Sequence, residues 1–442
     1  MKIQQGNEEI NSNGGILLAG GLLAGLNSLK EADKMVMDKV KKGQISHSGI
    51  LRSVAGLFCL GKTDFTDIEA QREDVLFRQS LELSKVPSEE CLRQRLNGLA
   101  MTGGTFDVVD AANLELLSQV EDYGCEKTPY ATYAPVDIDV STMDNSGSHK
   151  EKVSWTYQNY DGYAPIFAYL GTYGYMLANE LRPGSQHCQK GTTEFVAKCL
   201  AAVEKLGIAN ALFRFDSGND DASLAELLLK SGHAFIIKRN LRHERLEQWL
   251  ATARRVGEKM PSRDGKNVYV GMVSHLHPGG REELDPIFTV FEVTERLTDA
   301  ATGEDLLLPE IEVNTFWTNL PEEAGTIIKL YHRHGGSEQF HSELKSDIGL
   351  ERMPSGRFAT NNLVLRVVLL AYNALRIIGQ RALQMKEQLP VTLKVERRRL
   401  RSVMQDLIYI GCKLTRHAGV EILKFGRHCP WFRVFERIYA TV

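Results

Sequence analysis

The spacing of apolar and polar residues changes several times along the chain and divides it into stretches of different structure. Residues 1–128 carry apolar positions mainly at helical spacing. Within them, GILLAGGLLAGL at 15–26 is too short to span a bilayer, and Glu8 and Glu9 precede it in place of positive charge. It predicts a packed helix. The segment LFRQSLELSKVPSEECLRQRL at 76–96 predicts two short helices about a turn, Pro87 breaking the first and Ser88 capping the second. From residue 134 the period shortens. APVDIDVS predicts a buried strand, and PIFAYLGTYGYMLANELRPG at 165–184 predicts a hairpin joined at Gly171–Gly174. The helix TTEFVAKCLAAVEKLG, the strand ALFRFDS, the helix DASLAELLLKSG with Gly232 at its end, and the strand AFIIKR follow.

The order β-β-β-α-β-α-β predicts an α/β fold of the ribonuclease-H-like type, a mixed sheet flanked by helices. Residues 241–326 interrupt it with a β-rich insertion whose strands lie near 285–299 and 304–320. After this, 358–385 is a long apolar helix of the core type, and a basic, mostly helical tail contains KVERRRLR at 394–401. The expected division is a helical, DNA-binding region at 1–128, a catalytic core at 129–240 and 327–390 around the insertion at 241–326, and a basic helical region at 391–442.

Charge sharpens the picture. The net charge is −3, yet residues 331–442 hold 19 Lys/Arg against 9 Asp/Glu, a surplus of +10 that leaves the first 330 residues at −13. A basic end beside an acidic remainder suits a polyanionic partner. In the first region, Arg93 and Arg95 on the second short helix would meet DNA as in a helix-turn-helix. In the tail, Arg397, Arg398, Arg399 and Arg401 would meet phosphates, or simply form a solvated helix face. Seven scattered cysteines with no CxxC argue against a disulfide framework or zinc ribbon. No GxxxxGK[ST], GxSxG or HExxH occurs, so no nucleotide cofactor is expected.

The candidate chemistry lies in carboxylates. Residues 331–345, YHRHGGSEQFHSELK, place Tyr331, Glu338 and Lys345 seven residues apart, about two helical turns each. Asp139 and Asp216 each end an apolar strand-like run. Three acids from two strands and a helix are what a two-Mg²⁺ phosphodiester-cleaving site needs, since Mg²⁺ takes oxygen ligands and few carboxylates per ion. Mn²⁺ would substitute. Asp137 and Asp139 point to the same side of a strand, so alternation alone does not choose between them. Its place nearer the strand end favours Asp139 and leaves Asp137 in support.

With these motifs the chain resembles the DDE-class transposases of bacterial insertion sequences, in the branch with a β-insertion and a Tyr-x2-Arg-x3-Glu-x6-Lys signature. The resemblance spans roughly 130–385 and includes the surroundings of Asp139 and Asp216, NYDGYAPIFAYLG, ELRPGSQHCQKG and the Tyr331–Lys345 motif. It implies cut-and-paste transposition, with Asp139, Asp216 and Glu338 as metal ligands and Tyr331 and Lys345 on a terminal phosphate. The family's Arg falls on His334, with Arg333 one position early, so either Arg333 takes the contact or it is weakened. The resemblance also implies double-stranded DNA as partner, a homodimer in the synaptic complex, no membrane, and a bacterial, nucleoid-associated cytoplasmic location. Trp317 would hold a flipped base or sit in the core. Two other readings stay open: a nuclease or inactivated DNA-binding relative of the same fold, and a transition-metal site at His332, His334, Glu338 and His341, for which no second Glu-x-x-His exists.

Overall fold

Strand alternation decides which side chains meet beneath the helices, and one long strand shows it best. In the computed structural model, which describes residues 1–4, 7–36, 45–242, 244–275, 287–299 and 301–442, this strand, β1 (Thr132–Val140), sends Val136 and Ile138 into the main core. Asp137 and Asp139 therefore face the opposite side. Next come β2 (Ile166–Leu170) and β3 (Tyr175–Glu180), joined through Gly171 and Gly174, both at positive φ. The helices Thr192–Lys205 and Ala222–Ser231 alternate with β4 (Ala211–Phe215) and β5 (Ala234–Lys238). β6 (Glu258–Met260), β7 (Lys266–His275), β8 (Ile287–Thr298) and β9 (Asp305–Thr318) complete the set.

All nine belong to one ten-stranded mixed sheet in the order β6-β7-β8-β9-β5-β4-β1-β2-β3, with Glu126–Lys127 paired to β1. β1 runs parallel to β4 and antiparallel to β2, and β4 runs parallel to β5. The expected insertion does not stand apart from the core. β9 pairs antiparallel with β5 through Phe316–Thr318 while pairing along its length with β8, so the inserted strands extend the catalytic sheet.

Each face has its own cover. On one, Phe213, Phe215, Phe235 and Ile237 join a large core with the helix Phe358–Gln384. On the other, Leu212 and Ile236 pack with Ile327, Ile328 and Leu330 of the helix Ala324–His332. Phe358–Gln384 is, among the described residues, the one helix long and apolar enough to cross a membrane by length and composition, and 94% of its apolar window is buried. It packs against β3 and against Ile16–Ala24, His47–Cys59, Glu89–Ala100 and Thr105–Leu117. The N-terminal helices thus share its core.

Two asparagines dress the edge strand β3. Asn373 accepts from Met176 N at 2.8 Å and donates to Met176 O at 2.8 Å. Asn113 donates to the carbonyls of Met176 and Leu177. The edge that would otherwise template another strand is satisfied from within. The tail departs from expectation. Residues 394–399 are irregular, and Cys412–His417 and Val420–Phe425 form a hairpin that takes up Ile10–Asn11, before a last helix at Phe432–Tyr439. Arginine contacts described below hold the irregular segment down.

A Cβ at Gly174 would come within 2.3 Å of the Phe340 ring, and the residue lies at φ +68°. Gly174→Ala combines left-handed strain with overpacking and is expected to cost about 2–4 kcal/mol, measured as a lower urea midpoint at unchanged m-value.

Candidate active site

The face of the sheet opposite the large core carries a row of charged residues. Asp137 and Arg214 are register partners on β1 and β4. Asp139 sits two residues further along β1, and Asp216 just past the end of β4. Arg214 is 2% exposed, so its charge must be met inside the protein. It donates to both Asp137 carboxylate oxygens at 2.6 and 2.7 Å and to the carbonyl of Leu330 at 2.7 Å, and Glu126 stands 3.5 Å away. His334 Nδ1 donates to Asp137 Oδ1 at 2.8 Å. Burial pushes the Asp137 carboxyl up, but Arg214 and His334 outweigh it and hold the group below its ordinary value. Burial likewise pulls His334 down, and the Asp137 carboxylate more than restores it.

This network corrects one expectation. His334 does not present a side chain to a phosphate; it is buried and anchors its helix to Asp137. Arg333 beside it is exposed and pairs with Glu126. The Tyr331–Lys345 stretch is also not one regular helix. Ala324–His332 passes through a 3₁₀ turn at Arg333–Gly336, where Gly335 and Gly336 weaken helical preference, into Ser337–Ser342 and a π turn at Glu343–Asp347.

Asp139 has a partner that the sequence reading placed elsewhere. His341 Nε2 lies 3.3 Å from Asp139 Oδ2, and its Nδ1 lies 3.2 Å from the Tyr169 hydroxyl. The imidazole packs against Phe167 and Tyr169, with ring centroids 5.2 Å away in both cases. Burial raises Asp139, and the His341 hydrogen bond and charge bring it below its ordinary value. Asp216 accepts from Asn219 Nδ2 at 2.8 Å. Burial first, then the Asp139 charge, push it up. Asp216 therefore feels the Asp139 charge, and the two carboxylates shift in opposite directions.

Glu338 is exposed and lines the same cleft as Asp139, with Tyr157, His341 and Lys345. The Lys345 ammonium donates to the Thr142 carbonyl, and burial lowers its pKa. Tyr331 packs on Phe316 at 4.6 Å, and burial followed by the charges of Asp216, Asp139 and Asp137 pushes its hydroxyl up. Among the described residues, no three His, Cys, Asp or Glu side chains converge closely enough to hold a metal ion. The transition-metal alternative fares no better, because His334 and His341 are committed to different aspartates. Asp139, Asp216 and Glu338 nevertheless fit a hard divalent cation by chemistry. All three offer carboxylate oxygen, and Asp216 is raised by burial and by the Asp139 charge, which a cation would offset.

The predicted arginines separate. Arg95 is not a surface contact: it is buried and donates to the Ile45 carbonyl and to His47. Arg93 pairs with Glu89 at 2.6 Å. Arg398 is also buried, paired with Asp406 and stacked 4.5 Å from the Trp431 ring. Arg397 pairs with Glu343, while Arg399 and Arg401 reach Asp347. The half-exposed Arg399 and Arg401 remain open on one side. Trp317 on β9 is partly buried and faces the Arg239 guanidinium at 5.2 Å. Period two was the only signal for the Asp137–Arg214 pairing; nothing local announced His341 opposite Asp139.

With this geometry in place, the class is plain from comparison with known families. A family model described as "Transposase DDE domain group 1" matches residues 1–275 and 300–442. The chain belongs to that family: it is a DNA transposase, an enzyme that cleaves DNA and transfers strands with a divalent metal. Among solved structures, the cryo-EM structure of the piggyBac transposase synaptic complex with hairpin DNA is similar at 12% identity and a TM-score of 0.45, over 89% of this chain and 80% of that one. A search of the curated proteins finds no match.

The His334–Asp137 pair makes stability depend on pH. A raised folded pKa means that the His334 contribution is fully present below the ordinary imidazole value of 6.5 and is lost as pH rises through the folded value. Wild type should exceed His334→Gln by roughly 1–3 kcal/mol in urea unfolding near pH 5.5, with the gap narrowing towards about pH 9.

Proposed function

We propose that Asp139, Asp216 and Glu338 hold two Mg²⁺ ions, with Mn²⁺ able to substitute, and that the enzyme moves an insertion sequence by cut-and-paste transposition. The observation that carries this is the placement of Asp139 and Asp216 at neighbouring parallel strand ends, where the Asp139 charge pushes Asp216 up, beside the cleft that Glu338 lines. The strand and helix order supports a ribonuclease-H-like core around them. The bound ions would supply activation of an attacking oxygen and stabilisation of the departing one.

The chain's own residues do the positioning. Arg214 holds Asp137 and, through His334 and the Leu330 carbonyl, fixes the helix that leads to Glu338. His341 orients Asp139. Lys345 brings an ammonium to the cleft, and the Tyr331 hydroxyl lies within the field of Asp216 and Asp139; both groups are suited to a terminal phosphate. Arg333, on the surface, takes the phosphate role that the buried His334 does not. Arg397 and Arg399 line a groove with Glu338, and with Arg401 they suit a phosphate backbone leaving the site. Two transposon ends would be held by a homodimer on double-stranded DNA, in the cytoplasm of a bacterium.

Cleavage of labelled DNA carrying the element's flanking ends tests this. Asp139→Asn, Asp216→Asn and Glu338→Gln should each lower Mg²⁺-dependent cutting by roughly a thousandfold or more while DNA binding persists. Cutting that survives in all three variants, or that needs no metal, would sink the assignment.

A further inference from the structure

Between β1 and β2 the chain leaves the main sheet to form a small three-stranded one from Met143–Asp144, Ser154–Trp155 and Asp161–Tyr163. Its connections are tied down. Thr142 Oγ1 donates to Gln158 at 2.6 Å, Asn145 N to the Asp161 carbonyl at 3.1 Å, and Thr156 N to the Tyr160 carbonyl at 2.9 Å. Ser185 N donates to Ser154 Oγ at 2.9 Å, joining the small sheet to the segment after β3. On this pinned support two large rings stand in solvent: Trp155 is 59% exposed and Tyr157 65%.

Their place is specific. Tyr157 lines the cleft of Asp139, Glu338 and Lys345, and its hydroxyl donates at 3.1 Å to the carbonyl of Val140, the residue after Asp139. Trp155 lies two residues earlier, at the end of a short strand. Tyr157 is held in water at the cleft by its own hydroxyl bond, and Trp155 is exposed two residues away; such rings forfeit the burial that aromatic side chains normally gain, which marks a binding surface. A nucleobase suits such a surface, because every base has a π-face and stacking tolerates any sequence. The ammonium of Lys345 in the same cleft matches the backbone charge of such a strand.

We propose that Trp155 and Tyr157 form a stacking platform for unpaired bases of the DNA strand held at the carboxylates. This rests on Asp139, Asp216 and Glu338 being the cutting site. The occupant is a single-stranded segment next to the cleaved phosphodiester, since a fully stacked duplex offers no free base face.

The test uses the full-length chain without divalent metal and two synthetic probes of one sequence. One is a blunt duplex; the other is the same duplex with an unpaired tail carrying 2-aminopurine. Wild type should bind the tailed probe at least about fivefold more tightly and quench its fluorescence. Trp155→Ala and Tyr157→Leu should each bring that ratio towards one, Trp155→Ala leaving blunt-duplex affinity within about twofold. Tyr157→Phe, which keeps the ring, should retain the preference. A wild type with no tail preference, or a preference that survives both ring deletions, overturns the platform. So does loss of self-association in Trp155→Ala with the tail preference intact, which would assign the rings to a second copy of the chain. Metal-dependent cleavage by wild type, abolished in Glu338→Gln, is read separately. Cleavage without tail preference sinks the platform alone, whereas neither cleavage nor DNA binding sinks both readings.

Discussion

The Arg214 guanidinium is the charge around which the active face is built. A cation at 2% exposure is costly unless every direction is answered. Its answers come from three separate parts of the chain: Asp137 on β1, Glu126 on the strand beside it, and the Leu330 carbonyl near the end of a helix. His334 closes the arrangement from one turn further on. Sheet and helix are thereby locked in one rotational setting. His341 lies seven residues past His334, beyond the 3₁₀ turn, and meets Asp139 two residues further along β1. Glu338 lies between them, exposed at the cleft.

The far side of the same helical segment is held by a second ion network. Glu343 meets Arg376 from the long core helix at 2.7 Å and Arg397 from the tail. Asp347 meets Arg399 at 2.8 Å and the backbone N–H of Arg401 at 3.1 Å. The π turn at Glu343–Asp347 coincides with these contacts. Much of the positive surplus at the C-terminal end is therefore spent inside the molecule. A basic run gives the charge available but not its occupancy: Arg398 is buried on Asp406, whereas Arg399 and Arg401 keep about half their surface in solvent.

What was legible in the sequence were features with a local cause. Alternation in APVDIDV put Asp137 and Asp139 on one face, the glycines at 171 and 174 made the hairpin, and Gly232 stopped its helix in the left-handed region. The three carboxylates stood out because each ends or joins a strong element. Features decided by distant partners were not legible. That β9 joins β5 rests on hydrogen bonds between strands more than seventy residues apart. Arg95 looked like a DNA contact because its helix is short and polar, yet the turn before His47 claims it. The C-terminal hairpin takes its third strand from residues 10 and 11, at the other end of the chain. The regular helix expected over 331–345 breaks at Gly335–Gly336, where two glycines in succession favour a 3₁₀ turn over continued α-helix.

The opposite shifts of Asp139 and Asp216 carry the chemistry one step further. Both are partly buried, and the Asp139 charge raises the cost of charging Asp216, whereas Asp139 has the His341 hydrogen bond to bring it below its ordinary value. The protein alone thus stabilises one carboxylate and leaves its mate short of positive charge. Lys345 does not make up the difference, because its ammonium is drawn to the Thr142 carbonyl. Nor does Arg214, whose donors are already taken by Asp137 and Leu330. The deficit lies at the strand end facing the cleft, where a hard divalent ion would lower the charging cost of both carboxylates at once. The charge missing from the site is of the kind that the reaction requires.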